Sequence, residues 1–187
     1  PDFIYEHHDK TGDLPKTTAA NVGECVDYFT ELKKEGDAVI HFTISSGMSS
    51  TYNNACLAAS EFEDVYVIDT KNLSTAGGLL VIAAAEMAKS GMEVKKIVEE
   101  TEKLVPCVEA SFVIDSLEYL YKGGRCSALA MMGANLLKLK PCIEVKNGVM
   151  GVGKKYRGAF SKVINEYVSE RLVNIDDIDT SRVFVTH

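Results

Sequence analysis

A two-domain α/β fold is what this sequence predicts, and three observations carry the prediction. From Ala38 to Leu104, strand-like and helix-like stretches alternate, the rhythm of βαβ units with a parallel sheet. Within that region Val39, Ile40, Phe42 and Ile44 form an almost unbroken apolar run, as a strand covered on both faces requires. Beyond Pro106 the rhythm breaks, and Asn147-Gly148 between two strand-like runs is a strong hairpin signal. The expected architecture is a first domain (1–106) with a mainly parallel sheet and helices on both faces, then a second (107–187) with a smaller mixed sheet and helices.

Each element has a local reason. Residues 1–20 are polar, carry His7 beside His8, and end in the run LPKTTAAN. Asn21 followed by Glu24 has the form of a capping box, and Val26, Phe29 and Leu32 mark the short amphipathic helix it opens. Gly36 is expected to close that helix. After the strand at 38–44, Tyr52, Ala55, Cys56, Ala59 and Phe62 fall at helical spacing. Val65–Asp69 is a second strand ending in an acidic residue. The loop 70–78 reads equally as site or connector, and it leads into a helix with Leu80, Ala83, Ala84 and Met87 on one face. Ser90 with Glu93 predicts the start of a further helix, which Pro106 stops. Residues 110–115 form a strand, and a short helix around Leu117–Tyr121 ends at Gly123-Gly124. A small-residue helix is expected over about 127–137. Pro141 opens a strand, residues 149–155 return antiparallel, and Phe160, Val163, Ile164 and Tyr167 mark a last helix. Val183–Thr186 reads as a final strand.

Composition narrows the function classes. The 187 residues suffice for a real core. A net charge of -7 and the lack of a basic run argue against a nucleic-acid surface. No apolar stretch reaches the length of a membrane span. The five cysteines are odd in number and scattered without a CxxC pair, and most read as core thiols of a reducing, cytoplasmic compartment. No metal site, cofactor or catalytic group is expected.

Chemistry concentrates where the first strand meets its helix. Ser45, Ser46, Ser49, Ser50 and Thr51 surround Gly47, and such a strand-to-helix turn offers N–H groups and hydroxyls to an anion. Helix capping explains some of these hydroxyls, but five exceed what one cap needs. A serine hydrolase is disfavoured. ISSGMSS is not GxSxG, and His41, four residues before Ser45 on the same strand, would lie roughly 13 Å away. A phosphorylated small molecule at the same turn is the alternative, since a helix N-terminus does not distinguish phosphate from carboxylate; no Gly-rich GK[ST] loop supports it.

The motifs together carry a resemblance. ISSGMSSTYNNA (44–55), VIDT (67–70), LEYLYKGGR (117–125), LLKLKPCIEVKNG (136–148) and KYRG (155–158) resemble, in order, signature segments of the DegV family of fatty-acid-binding proteins. PKTTAA (15–20) is similar to the family's Lys-Thr-Ser-x-Pro segment, with Thr18 for the serine and Ala20 for the proline. The family's N-terminal Asp-Ser strand and its His-x-Gly-Pro-Gly segment have no counterpart. The chain therefore reads as the middle of such a protein, with the strand at 38–44 expected to be central and flanked by a strand that precedes this sequence.

The resemblance implies a two-domain α/β protein that holds one long-chain fatty acid, and the lack of a nucleophile–base pair among the few histidines predicts no turnover. The resemblance also implies that the bound acid is presented to a fatty-acid kinase as partner. By motif position Thr17, Ser45 and Ser46 would be the carboxylate ligands, while Arg125 and Arg157 fall in family motifs with no role assigned. The chemistry agrees. Hydroxyls and N–H groups hold a carboxylate without a buried cation. Burial is worth about 0.8 kcal/mol per CH₂, so a tail of some fifteen carbons contributes on the order of 10 kcal/mol. The tail would set affinity and the head group orientation.

Overall fold

The computed structural model describes residues 2–116, 118–124, 139–173 and 175–186. The elements in chain order begin with α1 (Asp2–Thr11), α2 (Val22–Glu35), β1 (Val39–Thr43), α3 (Thr51–Ala59) and β2 (Val65–Asp69). Then come α4 (Ser74–Lys89), α5 (Val94–Leu104), β3 (Ser111–Val113), α6 (Glu118–Lys122), β4 (Leu139–Lys146), β5 (Val149–Arg157) and α7 (Phe160–Arg171). Two sheets result. β1 and β2 pair in parallel, from Val39 opposite Val65 to Thr43 opposite Asp69. β3, β4 and β5 form a second sheet in that order, antiparallel in both pairs.

The first sheet is covered as its apolar strands demand. Val65 and Val67 pack against a cluster in which Phe29 and Cys25 of α2 meet Ala55, Ala58 and Ala59 of α3. Strand alternation turns Ile68 to the other face, where it too is buried, and α4 and α5 contact β1 and β2 respectively. The asparagine capping box forms in full: the Glu24 N–H donates to Asn21 Oδ1 at 3.0 Å, and the Asn21 N–H donates to Glu24 Oε2 at 2.8 Å. In the second sheet Val113, Cys142 and Tyr156 are buried against Val163 of α7. Asn147 (φ 52°) and Gly148 (φ 80°) take the two left-handed positions of a two-residue hairpin turn.

Several expectations are corrected. Among the described residues the second sheet is antiparallel rather than mixed, because a two-residue turn reverses direction between β4 and β5 and β3 joins β4 antiparallel as well. The polar N-terminus, for which no element was assigned above, contains a helix, α1, whose Phe3, Ile4 and Tyr5 remain exposed and so leave no one-sided apolar period to read. Glu93 itself caps α5 by accepting from the Lys96 N–H at 3.2 Å, while Ser90 ends α4. Gly36 follows α2 in extended backbone (φ -156°) instead of a left-handed stop. Residues 182–186 form no strand. The helix expected at 127–137 and Arg125 lie outside the described residues. Among those described, no helix is long and apolar enough to cross a membrane, and no metal-binding cluster of His, Cys, Asp and Glu occurs.

Candidate ligand site

The carboxyl ends of β1 and β2 lie side by side, and parallel pairing therefore brings the loop at 44–50 against the loop at 70–73. Ligands of open parallel sheets bind at strand carboxyl ends for this reason. The two loops are knitted together by their own polar groups. The Thr70 hydroxyl donates to the Thr43 carbonyl at 2.8 Å, and the Ser45 N–H donates to the Asn72 carbonyl at 2.9 Å. Asn72 Nδ2 in turn donates to the Val108 carbonyl at 2.9 Å, and its Oδ1 is buried with no hydrogen-bond partner among the described residues. Lys71 (φ 50°) and Ser74 (φ 52°) hold left-handed backbone, a strain that persists only where the surroundings enforce it.

Ser45 is fully buried. Its hydroxyl donates to the Gly148 carbonyl at 2.6 Å and accepts from the Gly47 N–H at 3.1 Å. The tip of the β4–β5 hairpin thus rests on the serine loop, 103 residues away in sequence. Contact this close needs glycine on both sides, since a Cβ on Gly47 would stand 2.7 Å from the Gly148 carbonyl oxygen.

Ser46 is half-buried and faces an ion pair. Lys71 Nζ donates to Ser46 Oγ at 2.9 Å and reaches Asp69 Oδ2 at 2.8 Å. Asp69 also accepts from the Ser46 N–H at 3.2 and 3.3 Å and from the Lys71 N–H at 2.9 Å. Burial raises the Asp69 pKa, but the hydrogen bonds from Lys71 and Ser46 outweigh it and hold the carboxyl below its ordinary value. A folded-state pKa below the unfolded one means the unfolded chain binds the extra proton first, so stability is lost as pH falls through the folded value. Asp69→Asn should therefore remove part of the acid sensitivity below about pH 4. The check is urea denaturation at stepped pH, and an unchanged pH slope would show that Asp69 does not tie the two loops.

The remaining hydroxyls do local work. Ser49 Oγ accepts the Thr51 N–H at 3.2 Å at the start of α3, and it lies 2.8 Å from the Thr51 hydroxyl. Ser50, at the capping position, makes no side-chain cap. Two cavities bear on the sequence-predicted ligands. One, about 210 Å³, is lined by Phe42, Ile44, Leu73 and Val81 among others and opens between residues that adjoin Ser45 and Lys71. The other, about 860 Å³, runs between α1, residues 12–17 and α6. Thr17 is exposed and lines this second cavity, whose described lining includes neither serine. His41 stacks edge-on against Phe29 at 5.2 Å, and burial lowers its pKa. It is engaged with the α2 side of β1. Arg157 ends β5, exposed. Asp69, Lys71 and Gly148 were not singled out from the sequence as site residues. Asp69 is marked as the acidic end of β2 and Gly148 as half of a hairpin turn, while nothing in the sequence marks Lys71.

A sequence profile of the DegV family, described as covering an uncharacterised protein, matches residues 1–187. The chain belongs to the DegV family. Protein DegV of Bacillus subtilis is 36% identical over 157 residues, 82% of this chain and 56% of that protein. A fatty acid-binding protein of Thermotoga maritima is 33% identical over 159 residues, 83% of this chain and 55% of that protein. Among solved structures, Bacillus subtilis DegV, described as a fatty acid binding protein, superposes with TM-score 0.76 at 34% identity, covering 94% of this chain and 63% of that one. A DegV-family protein from Thermus thermophilus, described by its fatty acid binding, gives TM-score 0.79 at 28% identity over 92% and 61%. This DegV-family chain thus spans between about half and two thirds of the relatives it matches.

Proposed function

We propose that this chain binds a long-chain fatty acid, with the carboxylate at the Ser45-Ser46 turn, Thr17 as a further donor and the acyl tail buried, and that it presents the acid to a fatty-acid kinase. The observation that carries the reading is family membership with relatives described as fatty acid-binding proteins. The site chemistry supports it. Ser45 and Ser46 follow the carboxyl end of β1, and the neighbouring Ile44 lines a cavity with Phe42, Leu73 and Val81 alongside Thr43, Thr70 and Ser74. In binding, Ser45 would exchange the Gly148 carbonyl for a carboxylate oxygen, a stronger acceptor because it is charged. On this reading the two sheets belong to two domains, 1–106 and 107–187, that meet at the head group.

Binding without turnover follows from the same geometry. A serine nucleophile needs a general base in reach. His41 lies against Phe29, and Lys71 beside Ser46 is ion-paired with Asp69. The phosphorylated small molecule is the weaker reading, since the chain has no Gly-rich GK[ST] loop and the relatives named above are described by fatty acid binding.

Mass spectrometry of the denatured protein should find a co-purified long-chain fatty acid. The Ser45→Ala/Ser46→Ala double variant should then weaken fatty-acid binding by about 2–4 kcal/mol, from the loss of charge-assisted bonds, while the chain stays folded. An unchanged Kd in that variant would remove the serines from the head-group site.

A further inference from the structure

We propose that Lys71 is a specificity-determining residue, an ammonium held beside the head group so that the site prefers an anionic lipid head to a neutral one of the same chain length. The inference rests on the fatty-acid reading above and adds a cation that no motif named. Lys71 stands 2.9 Å from Ser46 Oγ and 2.8 Å from Asp69 Oδ2. An ammonium has three N–H donors, and these two contacts use two of them.

The direction of the ion pair decides what a ligand meets. The Asp69 side chain is 9% exposed and that of Lys71 is 50% exposed, so the negative end points inward and the positive end outward. Asp69 is also saturated from within, by the Ser46 and Lys71 backbone N–H groups as well as the ammonium. It acts as a tether. A carboxylate arriving at Ser46 meets the ammonium before it meets Asp69.

Three further features restrict where that ammonium can go. The Lys71 backbone is held at φ 50°, which sets the direction in which its side chain leaves the loop. Its own N–H is bound to Asp69 at 2.9 Å. The hairpin tip lies over its stem, since a Cβ on Gly148 would stand 3.1 Å from Lys71 Cδ. A lysine serving only solubility would lack these restraints.

The test titrates the whole chain with laurate and with dodecanol, which share a tail and differ in head charge, for the wild type, Lys71→Met and Lys71→Arg. The expected result is that Lys71→Met loses about tenfold in laurate affinity, dodecanol changes less than about twofold, and Lys71→Arg stays near wild type for both. Should Lys71→Met fail to fold, Lys71→Gln keeps a donor to Ser46 and Asp69 without the charge and gives the same comparison. Equal losses for laurate and dodecanol would overturn the proposal, because Lys71 would then only tie the loops together. Unchanged laurate affinity would overturn it too, while leaving fatty-acid binding intact. A wild type that binds neither probe would overturn the fatty-acid reading itself and this inference with it.

Discussion

Phe29→Ala should destabilise the fold by about 3–5 kcal/mol, the largest single-residue effect expected in this chain. Phe29 is fully buried at the centre of the α2–α3 cluster, and its ring meets His41 at 5.2 Å and Phe62 at 6.1 Å, both edge-on. The cost of a large-to-small change depends on how far the surroundings collapse into the space. Here they cannot collapse far. The facing helix presents Ala55, Ala58 and Ala59, whose side chains have no rotamer to swing into a void. The check is a urea midpoint measured at unchanged m-value. A second readout is independent of stability. Burial lowers the His41 pKa, so removing the ring that covers His41 should let its imidazole titrate at higher pH, observable by NMR. A loss under about 1 kcal/mol with His41 unmoved would mean that the α2–α3 packing is not what holds the first sheet.

Gly148→Val should cost about 2–4 kcal/mol and disturb the ligand site as well. Gly148 holds φ 80°, a region that costs an L-residue roughly 1–2 kcal/mol, and more when it is β-branched. Its Cβ would also stand 2.6 Å from Ser45 Oγ, so the hairpin must withdraw and the Ser45 bond to the Gly148 carbonyl is lost, about 1 kcal/mol more. Gly151→Ala is the control. It lies in the same hairpin, its backbone is not left-handed, and a Cβ there meets nothing within 4 Å. The control should change stability by less than about 0.5 kcal/mol. Equal thermal melts for Gly148→Val and Gly151→Ala would show that the hairpin tip does not bear on the serine loop.

The contrast between α2 and α1 shows what makes an element readable. In α2 the capping box and the spacing of Val26, Phe29 and Leu32 stand within a few residues of one another, and the structure repeats them. In α1 the apolar Phe3, Ile4 and Tyr5 are adjacent and exposed, so no buried stripe marks the helix. The start of α5 is a nearer miss. Ser90 and Glu93 have capping-box spacing, but Ser90 belongs to the end of α4, where its hydroxyl donates to the Met87 carbonyl at 2.7 Å. A spacing rule cannot tell which of two adjoining helices a polar residue serves.

What the sequence by itself determined lies within short range: a parallel β1–β2 pair with helices around it, the Asn147-Gly148 turn, and the serine-rich turn at the end of β1. Local steric and hydrogen-bond preferences suffice for each. Tertiary structure alone decided what the serines touch. Ser45 meets a carbonyl 103 residues away, Ser46 meets the Asp69–Lys71 pair, and Thr17 lines a different cavity. The physical reason is that a hydroxyl bonds whatever acceptor or donor the fold brings within 3 Å, and pairing across a sheet, not spacing along the chain, chooses that partner.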